Sequence, residues 1–274
     1  MAGGLWVRSV ERMSNADSAT PAEASAPSAG PAMAPSVAQS VGLNPNAVTE
    51  RIALDETSWV DVSRNWIVGA DELFDHLHEH TAWRTTQLLR YDQMVEERRL
   101  SAGWQRGRPL PHPVLADITR AIQRKYRVEF PSFGIIQYRD GSDGQGFHRD
   151  TDMRWLDDTI IAVLTLGAQR PWLLRPRTNR FLNHLGAGRN AMAGEAQGAT
   201  HDLAPAAGDL LVMGGRCQAD WEHSVAYRKS RLDPPVGVRI SLQWRAARKV
   251  GEPFRGPSFR ASVGYGHGKA APAD

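Results

Sequence analysis

His148 and Asp150 stand two residues apart, and His223 follows far downstream. Two imidazoles and one carboxylate are the protein ligands of a non-haem Fe(II) site that keeps coordination positions open for a cosubstrate and O2. Side chains at i and i+2 of an extended segment share a face. His148 and Asp150 can therefore aim at one point while Arg149 faces away, and the third ligand has to come from another strand. Beyond His223, the segment Arg239-Ile240-Ser241-Leu242-Gln243-Trp244-Arg245 alternates, with Ile240, Leu242 and Trp244 on an apolar face and the two arginines, Ser241 and Gln243 on the other. The arginines lie about 20 Å apart at ~3.3 Å per residue, and their long side chains can lean inward from both ends. A guanidinium stays charged at any working pH and grips a carboxylate with two parallel hydrogen bonds. A dicarboxylate such as 2-oxoglutarate fits that pattern, with one carboxylate on an arginine and the other, beside its keto group, on the iron. A lone His-x-Asp says little, and two arginines on one strand face can be an ordinary solubilising edge. Their occurrence together and in this order carries the chemical reading.

The remaining histidines are read as inert. His76, His78 and His80 fall on a helical segment without a carboxylate in suitable geometry, and a helical His alternation is weak motif evidence. His112, His184, His201 and His267 fall in loops or the tail.

Elements that could position such a site follow from the pattern of apolar residues. Asp71 to His80 reads as a helix with Leu73, Phe74 and Leu77 on one face, and Pro113 to Tyr126 as a second, with Val114, Leu115, Ile118 and Ile122 at helical spacing. Pro111 and Pro113 suit the start of the second helix. After Pro131 the pattern predicts short strands at Phe133–Tyr138, Thr159–Leu166, Trp172–Leu174, Asp209–Met213, Glu222–Tyr227 and Val238–Arg245, separated by glycine-rich turns. Helices followed by several short strands predict a mainly β fold, two sheets with helices packed outside. Asn179 to Ala206, rich in glycine and alanine, reads as a long loop.

The 274 residues divide into three parts. Residues 1–48, rich in Ala, Ser and Pro, and residues 251–274, with five glycines and three prolines, bury too little apolar surface to offset their ordering entropy and are expected to be disordered. Residues 49–250 are expected to form one domain. The net charge of +3 is uneven, with −1 in residues 1–48, +1 in residues 49–245 and +3 in the last 29. A basic tail suits weak, salt-sensitive contact with phosphates or simply aids solubility. The single cysteine, Cys217, cannot form an internal disulfide, so a reducing, cytoplasmic setting is expected. No apolar run approaches the ~18 residues of a membrane span, and a monomer is the expectation.

These residues together resemble the AlkB family of Fe(II)/2-oxoglutarate dioxygenases, its bacterial branch most of all. The likeness covers Thr86 to Arg245. It rests on Tyr138-Arg139-Asp140-Gly141 leading to Phe147-His148-Arg149-Asp150, on Leu156-Asp157-Asp158-Thr159, on Gly208-Asp209-Leu210-Leu211-Val212-Met213-Gly214-Gly215, on His223, and on the Arg239 to Arg245 motif. The resemblance implies a double-stranded β-helix, or jelly roll. It implies Fe(II) on His148, Asp150 and His223, and 2-oxoglutarate on Arg239 and Arg245 with the Tyr138 hydroxyl as a further donor and Ser241 beside it. It implies Asp152 against a flipped base, Tyr91 and Trp104 in a nucleotide-recognition lid, and Arg177 near a substrate contact. The implied activity is O2-dependent oxidative demethylation of alkylated bases in DNA or RNA. A protein or small-molecule substrate for the same chemistry, or a non-catalytic nucleic-acid binding module, are the alternatives. The chain departs from better-known members at Ile136, where they have Asn, and at Ser241 and Gln243, where they often have Asn and Thr. The charged clamp survives these changes, and substrate preference is where they bear.

Overall fold

The computed structural model describes residues 40–90, 93–177, 199–228 and 235–256, all within one compact unit, Ala38–Asp274. In chain order the elements are β1 (Gly42–Leu43), β2 (Thr49–Ala53), β3 (Ser58–Ser63), β4 (Ile67–Val68), α1 (Ala70–His80), β5 (Arg84–Arg90), β6 (Gln93–Gln105), α2 (Val114–Tyr126), β7 (Ser132–Tyr138), β8 (Gln145–His148), β9 (Thr159–Gly167), β10 (Trp172–Pro176), β11 (His201–Asp202), β12 (Leu210–Gly215), α3 (Cys217–Asp220), β13 (Trp221–Val225) and β14 (Arg239–Ala247). A 3-10 turn, Thr151–Met153, follows β8.

The helices form where the spacing predicts. Helix α1 begins after Gly69, whose φ of 67° suits glycine, carries Asp71 and Glu72 in its first turn, and buries Leu73 and Leu77. Helix α2 buries Leu115, Ile118 and Ile122 on one face and stops at Arg127 in the left-handed region.

The strands make a larger antiparallel sheet in the order β2-β3-β12-β9-β14-β7-β6-β5 and a smaller one in the order β11-β10-β13-β8. Alternation along each strand divides the core in two. Phe133, Ile135, Leu164, Leu242 and Trp244 point from the large sheet toward α1 and α2. Their neighbours Tyr138, Ile161, Val163, Leu211 and Met213 point the other way, against Trp172, Leu174, Trp221 and Val225 of the small sheet. Strand β9, buried on both faces, accordingly reads as an almost unbroken apolar run. The result is the expected jelly roll with helices outside. His148 and His223 come from the small sheet, Asp150 from the turn just after β8, and the arginine strand from the centre of the large sheet.

Two stretches differ from expectation. Strand β1 pairs with β4 ahead of residue 49, so the sheet-forming part starts earlier than composition predicts. The hairpin β5–β6 extends the large sheet past β7 through Leu100–Gln105, although its sequence lacks an apolar period. Most of the expected 179–206 loop lies outside the described residues, while His201–Asp202 pairs with β10.

Candidate metal centre

His148 closes β8 and His223 sits within β13, and strand pairing sets the two directly opposite each other. Their rings lie 4.2 Å apart between centroids. Asp150 follows β8, and its main-chain N–H donates to the Gln218 side chain of α3 at 2.7 Å. Its carboxylate then stands 3.9 Å from His148 Nε2 and 4.0 Å from His223 Nε2. One donor atom from each of the three lies within 4.8 Å of the others, and no second such group of His, Cys, Asp or Glu occurs among the described residues.

The protonation states suit a cation. His148 Nδ1 lies 2.9 Å from the Gly146 carbonyl. A carbonyl can only accept, so the proton sits on Nδ1 and Nε2 presents its lone pair to the centre. His223 stacks on Trp172 at 5.4 Å. Burial, then the neighbouring His148, pushes the His223 pKa down to about 3. Burial likewise lowers that of His148. Burial alone would raise the Asp150 pKa, but Arg245 and the two imidazoles outweigh it and hold the carboxyl well below its usual range. At neutral pH the centre is two neutral imidazoles and one carboxylate, the donor set of Fe(II) sites that leave positions open. The residues present therefore fit the metal. The buried His223 Nδ1 has no hydrogen-bond partner among the described residues.

The two arginines of β14 occupy different surroundings. Arg245 Nε donates to Asp150 Oδ2 at 2.8 Å, and its Nη2 to the Gln243 side chain. Arg239 is fully buried. It donates to Thr165 Oγ1 at 2.9 Å, Ser241 Oγ at 3.2 Å and the Pro205 carbonyl at 3.4 Å, and no carboxylate among the described residues forms an ion pair with it. Burial lowers its pKa to about 10. Register sets it opposite Tyr138 of β7, which is also buried.

A cavity of about 720 Å³ opens over the triad, and Tyr138, Gln145, Gln243 and Arg245 line it with the three donors. Asp152, on the 3-10 turn, lines it too, as does Ile136. Trp104 borders the cavity, yet its ring stacks on Phe133 at 5.4 Å and packs with the helix-side core, on the opposite sheet face from Arg245. Arg177 is exposed at the end of β10, its main-chain N–H bound to the Asp220 carbonyl, and it is not among the lining residues. Tyr91 lies outside the described residues. The α1 histidines are used otherwise: His76 bonds the Pro111 carbonyl, and His78 bonds Gln137.

Sequence reasoning passed over one pair. Glu97 and Arg99 of β6 share a face, form an ion pair at 3.0 Å, are each about 15% exposed and line the cavity beside Tyr138. The i, i+2 spacing is the signal that could have found them, once β6 is known to be a strand.

Comparison with known proteins agrees with this geometry. A family profile described as the 2OG-Fe(II) oxygenase superfamily matches residues 69–245. The chain is 27% identical to alpha-ketoglutarate-dependent dioxygenase alkB homolog 3 of Bos taurus, over 64% of this chain and 61% of that protein. It is 26% identical to the Homo sapiens homologue of the same name, over 72% and 68%. It is also 29% identical to the DNA oxidative demethylase ALKBH2 of Homo sapiens, over 46% and 44%. The match thus spans less than two thirds of the bovine relative and less than half of ALKBH2. Among solved structures, a prolyl hydroxylase from Trichoplax adhaerens, in complex with a hypoxia inducible factor peptide fragment, aligns with a TM-score of 0.47 and 13% identity over 68% of this chain and 82% of that one. That likeness is too distant to add to the strand pairing described above. On the profile match, which covers well over half its length, the chain belongs to the 2OG-Fe(II) oxygenase superfamily.

Proposed function

We propose that the protein is a dioxygenase that removes methyl groups from alkylated nucleobases of DNA or RNA, using Fe(II), 2-oxoglutarate and O2. The observation that carries the cosubstrate part is Arg239. A buried guanidinium without a carboxylate partner is expensive, and an incoming dicarboxylate would supply the missing charge. His148, Asp150 and His223 would hold the iron. With 2-oxoglutarate and O2, bound iron supplies an oxidant strong enough for a methyl C–H bond.

The chain's own residues do the rest. Arg245 fixes the orientation of Asp150 and keeps it ionised. Arg239, buried behind the cavity and opposite Tyr138 in register, would take the distal carboxylate with the Tyr138 hydroxyl as a further donor, and Ser241 and Thr165 hold the Arg239 fork in place. In the net reaction a base N-methyl carbon is oxidised and leaves as formaldehyde, while 2-oxoglutarate becomes succinate and CO2. A base stacked in a duplex cannot reach the triad, so the substrate enters as a flipped nucleotide or from a single strand. Asp152 lines the same cavity as the triad, which supports assigning it the base contact. The nucleic-acid substrate is supported by the likeness to the DNA oxidative demethylase ALKBH2 and by the family's motif order along this chain.

The test is to incubate the full chain with Fe(II), 2-oxoglutarate and oligonucleotides carrying 1-methyladenine or 3-methylcytosine, as single-stranded DNA, duplex DNA and RNA. Formaldehyde from at least one is expected. Succinate formation without formaldehyde from any of them would instead favour a protein or small-molecule substrate.

A further inference from the structure

Strand β8, which carries His148, is an edge strand only four residues long, paired on one side with β13 through a register irregularity. Such a strand has few hydrogen bonds of its own to fix the position of a metal ligand. The turn leading into it is held elsewhere. Arg170, at the β9–β10 connection, is 1% exposed and donates to the carbonyls of Asp140 at 3.0 Å, Asp143 at 2.8 Å and Ala226 at 2.7 Å. The first two carbonyls belong to the turn before β8, and the third follows directly on β13. One guanidinium thus ties together the chain entering the His148 strand and the chain leaving the His223 strand.

Two further contacts close the same seam. The Arg228 N–H donates to the Gly141 carbonyl at 2.8 Å. The Tyr227 ring lies so close to Gly144 that an added Cβ would meet it at 2.7 Å. The Arg170 guanidinium also stands 5.5 Å from the centre of the Tyr138 ring. Its Nε is buried without a partner among the described residues. No carboxylate among the described residues forms an ion pair with it, so the three carbonyl bonds are what fix the guanidinium between the two strands.

We infer that Arg170 is a positioning residue for the metal centre, setting the spacing of His148 and His223 through the two strands that carry them. It touches neither metal nor substrate. Groups that orient metal ligands from behind typically change metal affinity by roughly 10- to 100-fold when removed. The inference rests on the metal-binding role of the triad and not on the identity of the substrate.

The experiment is anaerobic titration of the metal-free full chain with Co(II), followed by its visible absorption, alongside thermal melting. Arg170→Met is expected to bind Co(II) roughly 10-fold weaker or worse, with an altered absorption band. Arg170→Lys keeps the charge but not the planar fork and is expected to fall in between. Arg64→Met is the control, since it removes another guanidinium that caps main-chain carbonyls (Leu203 and Ala204) but touches neither β8 nor β13. It should lower the melting temperature and leave Co(II) affinity unchanged. If Arg170→Met fails to fold, Arg170→Lys decides. Wild-type Co(II) affinity in a folded Arg170 variant overturns the proposal, as does an equal loss in Arg64→Met. A wild-type chain that fails to bind Co(II) removes the metal reading itself, whereas absent demethylation beside normal Co(II) binding removes only the substrate.

Discussion

Arg239 and Arg245 are one residue type on one face of one strand, yet the fold gives them opposite environments. Arg245 sits at the mouth of the cavity with its charge matched by Asp150. Arg239 is fully buried and outside the lining of the cavity, with hydroxyls and a carbonyl around it and no ion-pair partner among the described residues. The comparison teaches that a paired guanidinium orients what it is paired with, whereas an unpaired buried one waits for an anion. On the proposed function the two arginines then differ in their first duty, Arg245 orienting Asp150 and Arg239 meeting the anion.

Losing a metal ligand should have the largest effect, because it removes the centre against which both arginines work. His223→Ala and Asp150→Ala are each expected to reduce 2-oxoglutarate turnover to background while circular dichroism still shows a folded chain. Turnover near the wild-type rate in either variant would break the comparison at its base. Next comes the buried arginine. Arg239→Met should raise the KM for 2-oxoglutarate by ~100-fold, in line with loss of a charge-assisted pair of about 3 kcal/mol, and leave Co(II) affinity nearly unchanged. At the mouth, Arg245→Met should do the reverse, weakening Co(II) binding roughly 10-fold with a smaller change in cosubstrate KM. Identical profiles for the two variants would mean that the arginines share a single role.

Burial of the centre has a pH signature. His223 and His148 have native pKa values below those of unfolded histidine, so below about pH 6.5 the unfolded chain takes up protons that the native one refuses. Stability of the metal-free protein should therefore fall as pH drops from about 6.5 toward 4, by up to roughly 1.4 kcal/mol per pH unit for His223, with His148 adding in the same direction. Denaturant midpoints across that range check it, and a flat profile would contradict the buried neutral pair. The smallest catalytic effect is expected on the opposite sheet face. Trp104→Ala should cost about 2 kcal/mol of stability through its stack on Phe133 and leave the KM for an oligonucleotide within about 2-fold (~0.4 kcal/mol). A large KM change would return Trp104 to the substrate.

Much of this centre is legible in the sequence because strand alternation converts residue order into faces. The alternation from Arg239 to Arg245 survives in β14, whereas β8 ends at His148, so Asp150 reaches the centre from the turn beyond it and Arg149, expected to face away, lines the cavity as well. The different duties of the two arginines are not legible, because spacing along a strand fixes a face but not the direction in which a long side chain leans. Asp150 draws in Arg245, and it is placed by a turn and by Gln218, partners distant in sequence. Strand β6 was missed for another reason. Its inner face carries Glu97, Arg99 and Ser101, whose polarity suits a cavity wall and hides the apolar alternation that marks a strand. Trp104 was drawn to the substrate by its chain position, whereas its register opposite Phe133 turns it to the helices. Arg170 carries no local signal at all, since its three carbonyl partners come from two other segments.

The most direct test is succinate formation from 2-oxoglutarate by the wild-type chain and by His223→Ala, with Fe(II) present and then removed by a chelator. A triad that holds iron beside a diacid site predicts succinate from the wild type with Fe(II), and none after chelation or from the variant. Succinate that persists without iron, or with His223 replaced, would contradict it.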